Sequence, residues 1–135
     1  MITSKVDYLG GLRTEATHLA SGNKIITDAP VDNFGKGEAF SPTDLLATSY
    51  ASCLLTIIGI YCQNHNLHFN KGNAEVTKIM STDSPRRVRK IILKIDLSGN
   101  DWNEEEQKRV VAAGKACPVA KTLGDNVDVE LDIIL

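Results

Sequence analysis

Three features of this chain predict an α+β fold. A stretch at 41–64, uncharged from Leu45 onward, opens with a strong helix-start signal, strand-like alternation lies on both sides of it, and two shorter helical stretches precede a final alternating strand. In that order these elements imply antiparallel sheets packed on a long central helix, within a single domain covering 1–135.

The first 40 residues read as a β-meander, with strands at 5–9, 12–20 and 24–27, a bend at Gly10-Gly11 and a turn at Ser21-Gly22-Asn23. Alternation in the second strand puts Arg13, Glu15, Thr17 and Leu19 on one face, so Arg13 is held on a defined side. The segment 28–40 contains Pro30, Gly35 and Gly37 and feeds the start of the long helix, a position suited to forming part of a pocket.

The long helix starts well. Ser41 is placed to cap free N–H groups, Pro42 suits the first helical position, and Asp44 sets a carboxylate at the positive end of the dipole. No Asp, Glu, Lys or Arg occurs from Leu45 to Asn64, and apolar residues fall on every side, so the helix is expected to be enclosed. Its length would also suit a membrane span. Six polar interruptions, from Thr48 to Gln63, and the absence of basic flanks favour a core helix instead. A domain of 135 residues is small for covering such a helix on all sides, and a second copy of the chain would supply the missing cover.

Beyond it, a hairpin is expected from arms at 67–82 and 87–97 around Asp83-Ser84-Pro85. Ile91, Leu93, Ile95 and Leu97 form one face of its second arm. A helix beginning near Asp101 and Glu104 carries three glutamates in its first turn and Lys108-Arg109 later, as the helix dipole favours, and is expected to end at Gly114. Pro118 then begins a short helix with Cys117 at its N-cap and Gly124 after its end. The last strand, 127–135, alternates Val127, Val129, Leu131, Ile133 and Leu135 with acidic residues.

A net charge of −2 with dispersed basic residues disfavours general binding to nucleic acid or to an anionic membrane. The N-terminal residues show no apolar signal core, so a cytoplasmic protein with reduced thiols is expected. There the three cysteines would be inert core residues, metal ligands or redox groups. A metal site built from these cysteines with His18, His65 and His68 is a second reading, but His65 and His68, three apart across a helix-to-strand junction, are weakly spaced and no Cys-x-x-Cys pair occurs, so neither a metal nor another cofactor is expected. Cys53 and Cys62 lie nine residues apart on opposite sides of one helix, and Cys62 reads as a core residue. Cys117, at a helix N-terminus, has its thiolate favoured by free N–H groups. Helix geometry alone does not bring it to Cys53; a compact fold could.

The segments S-P-T-D-L-L-A and Y-A-S-C, ending at Cys53, and C-P-V-A-K-T-L, beginning at Cys117, resemble the two cysteine motifs of the OsmC/Ohr family, the osmotically inducible and organic hydroperoxide resistance proteins. The resemblance runs over nearly the whole chain. It implies an OsmC-like fold in an intertwined homodimer and a thiol peroxidase that reduces organic hydroperoxides. Cys53 then matches the peroxidatic cysteine, Cys117 the resolving cysteine and Arg13 the arginine that stabilises the thiolate. A dithiol, often on a lipoylated protein in this family, would be the reductant. Thr43 stands where the family has a glutamate paired to that arginine, which leaves Glu38 and Asp44 as candidate acids. A non-catalytic OsmC-like binding protein is the alternative reading.

Overall fold

The computed structural model describes Met1–Leu135 as an α+β protein whose chain forms two compact units, Met1–Leu46 and Ala47–Leu135. The first unit contains an antiparallel sheet in the order β1 (Ser4–Gly10), β2 (Arg13–His18) and β3 (Lys24–Asp28). Gly10, Gly11 and Leu12 all take positive φ between β1 and β2, which is how the predicted bend is closed. The β2–β3 register sets Arg13 directly opposite Asp28. A single 3₁₀ turn, Val31–Asn33, follows in the connection to the long helix.

That helix, α1 (Pro42–Asn64), starts as its sequence predicts. The Asp44 N–H donates to Ser41 Oγ at 3.0 Å and the Ser41 N–H donates to Asp44 Oδ2 at 2.9 Å, so two otherwise unpaired donors are satisfied reciprocally. The expected enclosure is not found within one chain. Ala47, Tyr50, Ala51, Leu54, Ile58 and Cys62 form the buried stripe, whereas Ser52, Thr56 and Ile60 lie exposed along the other side. Because that exposed side carries Leu46 and Ile60 beside Ser52 and Thr56 and no charged residue, the sequence reads as apolar all round. Thr56 Oγ1 donates to the Ser52 carbonyl oxygen at 2.8 Å, so even its hydroxyl is satisfied within the helix.

The second unit holds a sheet ordered β4 (Asn73–Met80), β5 (Val88–Asp96) and β6 (Asp128–Ile134). β4 and β5 are the predicted hairpin arms, but β4 begins six residues later than expected. Residues before it are held by side chains instead of a ladder. Asn100 Oδ1 accepts from the N–H of Asn70 at 2.7 Å, and Asn100 Nδ2 donates to the carbonyls of Lys71 and Leu97, both at 2.7 Å. Trp102 Nε1 donates to the His68 carbonyl at 2.8 Å. β6 runs parallel to β5, because α2 (Glu104–Lys115) and α3 (Pro118–Leu123) form the crossover between them.

Ile91, Leu93, Ile95 and Leu97 are all at most 1% exposed and pack in one core with Leu54, Ile58 and Val110. The alternation in the sequence therefore fixes which face of β5 meets the helices. Gly114 is buried within α2 and does not end it; a Cβ there would lie 3.1 Å from Ile58 Cδ1, so the glycine serves close helix approach. The true start of α2 is a capping box in which Asn103 Oδ1 accepts from the Glu106 N–H at 2.8 Å and Glu106 Oε2 accepts from the Asn103 N–H at 3.0 Å. Asn103→Ala is expected to lower stability by about 1 kcal/mol, read by urea denaturation.

Candidate functional site

Two groups of polar and sulfur-bearing side chains stand out, one in each unit. In the first, the β2–β3 ladder places the Arg13 guanidinium against the Asp28 carboxylate in a two-pronged pair, Nε to Oδ1 at 2.7 Å and Nη2 to Oδ2 at 2.8 Å. Asp28 is 1% exposed, and its Oδ2 also accepts the Glu38 N–H at 3.1 Å. The Glu38 carboxylate is a second, looser partner, with Oε2 3.7 Å from Arg13 Nη2. Asp44, the other candidate acid, has its carboxylate engaged at the α1 cap.

Asp28 was not among the acids singled out from the sequence, although its signal is there. In the β2–β3 ladder the paired residue numbers add to 41, as for Thr17 with Lys24, so a pairing centred between Ala20 and Ser21 brings Arg13 to Asp28. The hydrogen bonds from Arg13 hold the Asp28 carboxyl below the usual carboxylate range despite its burial, helped by the Glu38 N–H.

A folded-state value below the unfolded one means that this carboxylate stabilises the fold above about pH 4, the ordinary carboxyl range, and ceases to do so as pH falls through the lowered folded value. Asp28→Asn is therefore expected to melt well below wild type at pH 7, with the gap narrowing towards pH 2. Calorimetric melts of both proteins across that range check this.

In the second unit α1 and α3 bring two of the three cysteines together. All three are free thiols. Cys53, midway along α1, is half-buried, whereas Cys117 is 0% exposed and lies within hydrogen-bonding reach of the Cys53 side chain. As predicted, Cys117 is the N-cap of α3; its sulfur accepts the Ala120 N–H at 3.4 Å, and Pro118 follows at the first helical position.

Burial pushes the Cys117 thiol up more than the Ala120 N–H draws it down, and the nearby Cys53 adds to the rise. Cys117 therefore keeps its proton and can donate it towards the Cys53 sulfur. Tyr50, one turn before Cys53, is also kept protonated, by its burial and then by Cys117. It lines a cleft of about 410 Å³ with Ala120, Asp125, Val127 and Val129, on the side of α3 that leads to β6. Cys62 is 1% exposed in the core, and burial raises its thiol, in line with an inert packing role. No group of three or more His, Cys, Asp or Glu side chains is arranged to hold a metal ion.

The chain is thus a small α+β protein in which two free thiols, one from α1 and one at the start of α3, are neighbours. The sequence profile of the OsmC-like protein family matches residues 35–132, and the chain belongs to that family.

It is 25% identical over 111 residues to an organic hydroperoxide resistance protein-like protein of Staphylococcus aureus (strain MSSA476), covering 81% of this chain and 76% of that one. Among solved structures it is similar to one from Psychrobacter arcticus 273-4, provisionally described as an osmotic stress induced and detoxification response protein. There the identity is 50% and the TM-score 0.90, over 98% of this chain and 96% of the other. The organic hydroperoxide resistance protein OhrB of Bacillus subtilis shares the fold, with a TM-score of 0.68 at 21% identity and 98% coverage of each chain.

Proposed function

We propose that this protein is a thiol peroxidase that reduces organic hydroperoxides, with Cys53 as nucleophile and Cys117 as its disulfide partner. The observation that carries the reading is the meeting of a half-buried and a fully buried free thiol at the start of α3. Membership of the OsmC-like family, and the name of the Staphylococcus aureus relative, point to organic hydroperoxides as the substrate class.

The Cys53 thiolate attacks the distal oxygen of the hydroperoxide. The O–O bond breaks, the alcohol leaves with a proton, and Cys53 becomes a sulfenic acid. Cys117 then attacks the Cys53 sulfur and water departs, leaving a disulfide. A dithiol returns both cysteines to thiols by exchange. Arg13 is the cation assigned to thiolate stabilisation, and its task is electrostatic. Asp28 supplies it with a carboxylate partner, which supports the catalytic reading although Thr43 stands in the family's glutamate position. The same reading has the protein working as a homodimer in the reducing cytoplasm.

The nucleophile is tested in Cys117→Ser, where the sulfenic acid has no partner. One equivalent of tert-butyl hydroperoxide followed by dimedone should label Cys53 alone. Labelling elsewhere, or none at all, would remove the mechanism.

A further inference from the structure

We infer that the reductant attacks the Cys53 sulfur of the Cys53–Cys117 disulfide and releases Cys117, so that Cys53 carries both the oxidised and the mixed-disulfide intermediates of the cycle. This deepens the peroxidase reading and rests on it only for the identity of the oxidant. Thiol–disulfide exchange needs the incoming thiolate in line with the S–S bond, on the far side of the sulfur it attacks. Cys117 has no such open side. It is 0% exposed, its sulfur accepts the Ala120 N–H, and Cys53 occupies its other approach. Cys53 is half-buried on α1 and retains accessible surface.

On release, the electron pair of the broken S–S bond goes to the Cys117 sulfur, which receives the Ala120 N–H at 3.4 Å and takes up the proton that the attacking thiol of the dithiol gave up. Cys53 is now bonded to the reductant's first sulfur. The second thiolate of the dithiol attacks that sulfur, releasing the Cys53 thiolate and closing the reductant's own disulfide. The dithiol loses two electrons and two protons; the protein gains them.

The test separates this regiochemistry from peroxidase activity by forming the disulfide with diamide, which needs no hydroperoxide. The oxidised wild-type protein, freed of diamide, receives one equivalent of glutathione, is quenched with iodoacetamide at early times, and is mapped by peptide fragmentation that separates Cys53, Cys62 and Cys117. We expect glutathione on Cys53 and the alkyl label on Cys117, with Cys53 adducts at least about tenfold more abundant than Cys117 adducts. The same protein unfolded in guanidinium should lose most of that preference.

A smaller ratio, adducts mainly on Cys117, a preference unchanged by unfolding, or no disulfide under diamide would each overturn the inference. A parallel sample oxidised with tert-butyl hydroperoxide keeps the two ideas distinguishable. If it forms no disulfide while the diamide sample still directs glutathione to Cys53, the peroxidase reading falls and the assignment of the attacked sulfur stands.

Discussion

Cys53→Ser is expected to reduce the consumption of tert-butyl hydroperoxide, with dithiothreitol as reductant, by at least about a thousandfold. The size follows from the chemistry. A serine hydroxyl at neutral pH is almost entirely protonated and is a poor nucleophile towards peroxide oxygen, while the substitution only exchanges one sulfur for an oxygen at a half-buried position. Folding should therefore be nearly intact, and circular dichroism melts close to wild type would assign the loss to the nucleophile. Cys117→Ser is expected to behave differently. Its first turnover should survive, because the attack uses Cys53, while sustained turnover falls as the unresolved sulfenic acid is oxidised further. A Cys53→Ser protein that consumed hydroperoxide at the wild-type rate would remove the cysteine from the chemistry.

Leu93→Ala carries the largest expected effect on stability, a loss of about 2–5 kcal/mol. Leu93 is 0% exposed at the centre of β5, opposite Val76 of β4 and Leu131 of β6. It belongs to the core that includes Leu54 and Ile58 of α1. Truncation removes apolar area from that core, and the flanking strands are tied by ladders on both sides, so collapse around the gap is restricted. A domain of this size is commonly stable by only about 5–15 kcal/mol, so a Tm lower by roughly 10 °C is expected. Urea denaturation with an unchanged m-value would show that the loss lies in stability and not in compactness. A Tm within 2–3 °C of wild type, roughly the shift of 1 kcal/mol or less, would mean that this core is far looser than the contacts imply.

Much of this fold is legible in the sequence because its signals are local. The Ser41-Asp44 box, the Pro118 start with Cys117 at the N-cap, and the Ile91, Leu93, Ile95 and Leu97 alternation each depend on residues within a few positions of one another. The features that escaped are set by tertiary geometry. The parallel pairing of β6 depends on two intervening helices, and the late start of β4 depends on Asn100 and Trp102, about thirty residues away. The half-exposed state of α1 was hidden because its outer side carries Ser52 and Thr56 instead of charges. The family motifs single out both cysteines, and the chain folds so that they are neighbours; Arg13 is marked separately, by its place after the Gly10-Gly11 bend. The sequence offers Glu38 and Asp44 near the helix start as the acid, whereas the two-pronged partner of Arg13 is set by strand register at Asp28.

The most direct measurement is the thiol state of Cys53 and Cys117 after one equivalent of an organic hydroperoxide, read by mass spectrometry of the unreduced digest. Conversion of that pair to a disulfide, with Cys62 remaining a free thiol and one alcohol formed per bond, is the predicted result. If hydroperoxide left both thiols free, or oxidised Cys53 without ever joining it to Cys117, the proposed cycle would be contradicted at its central step.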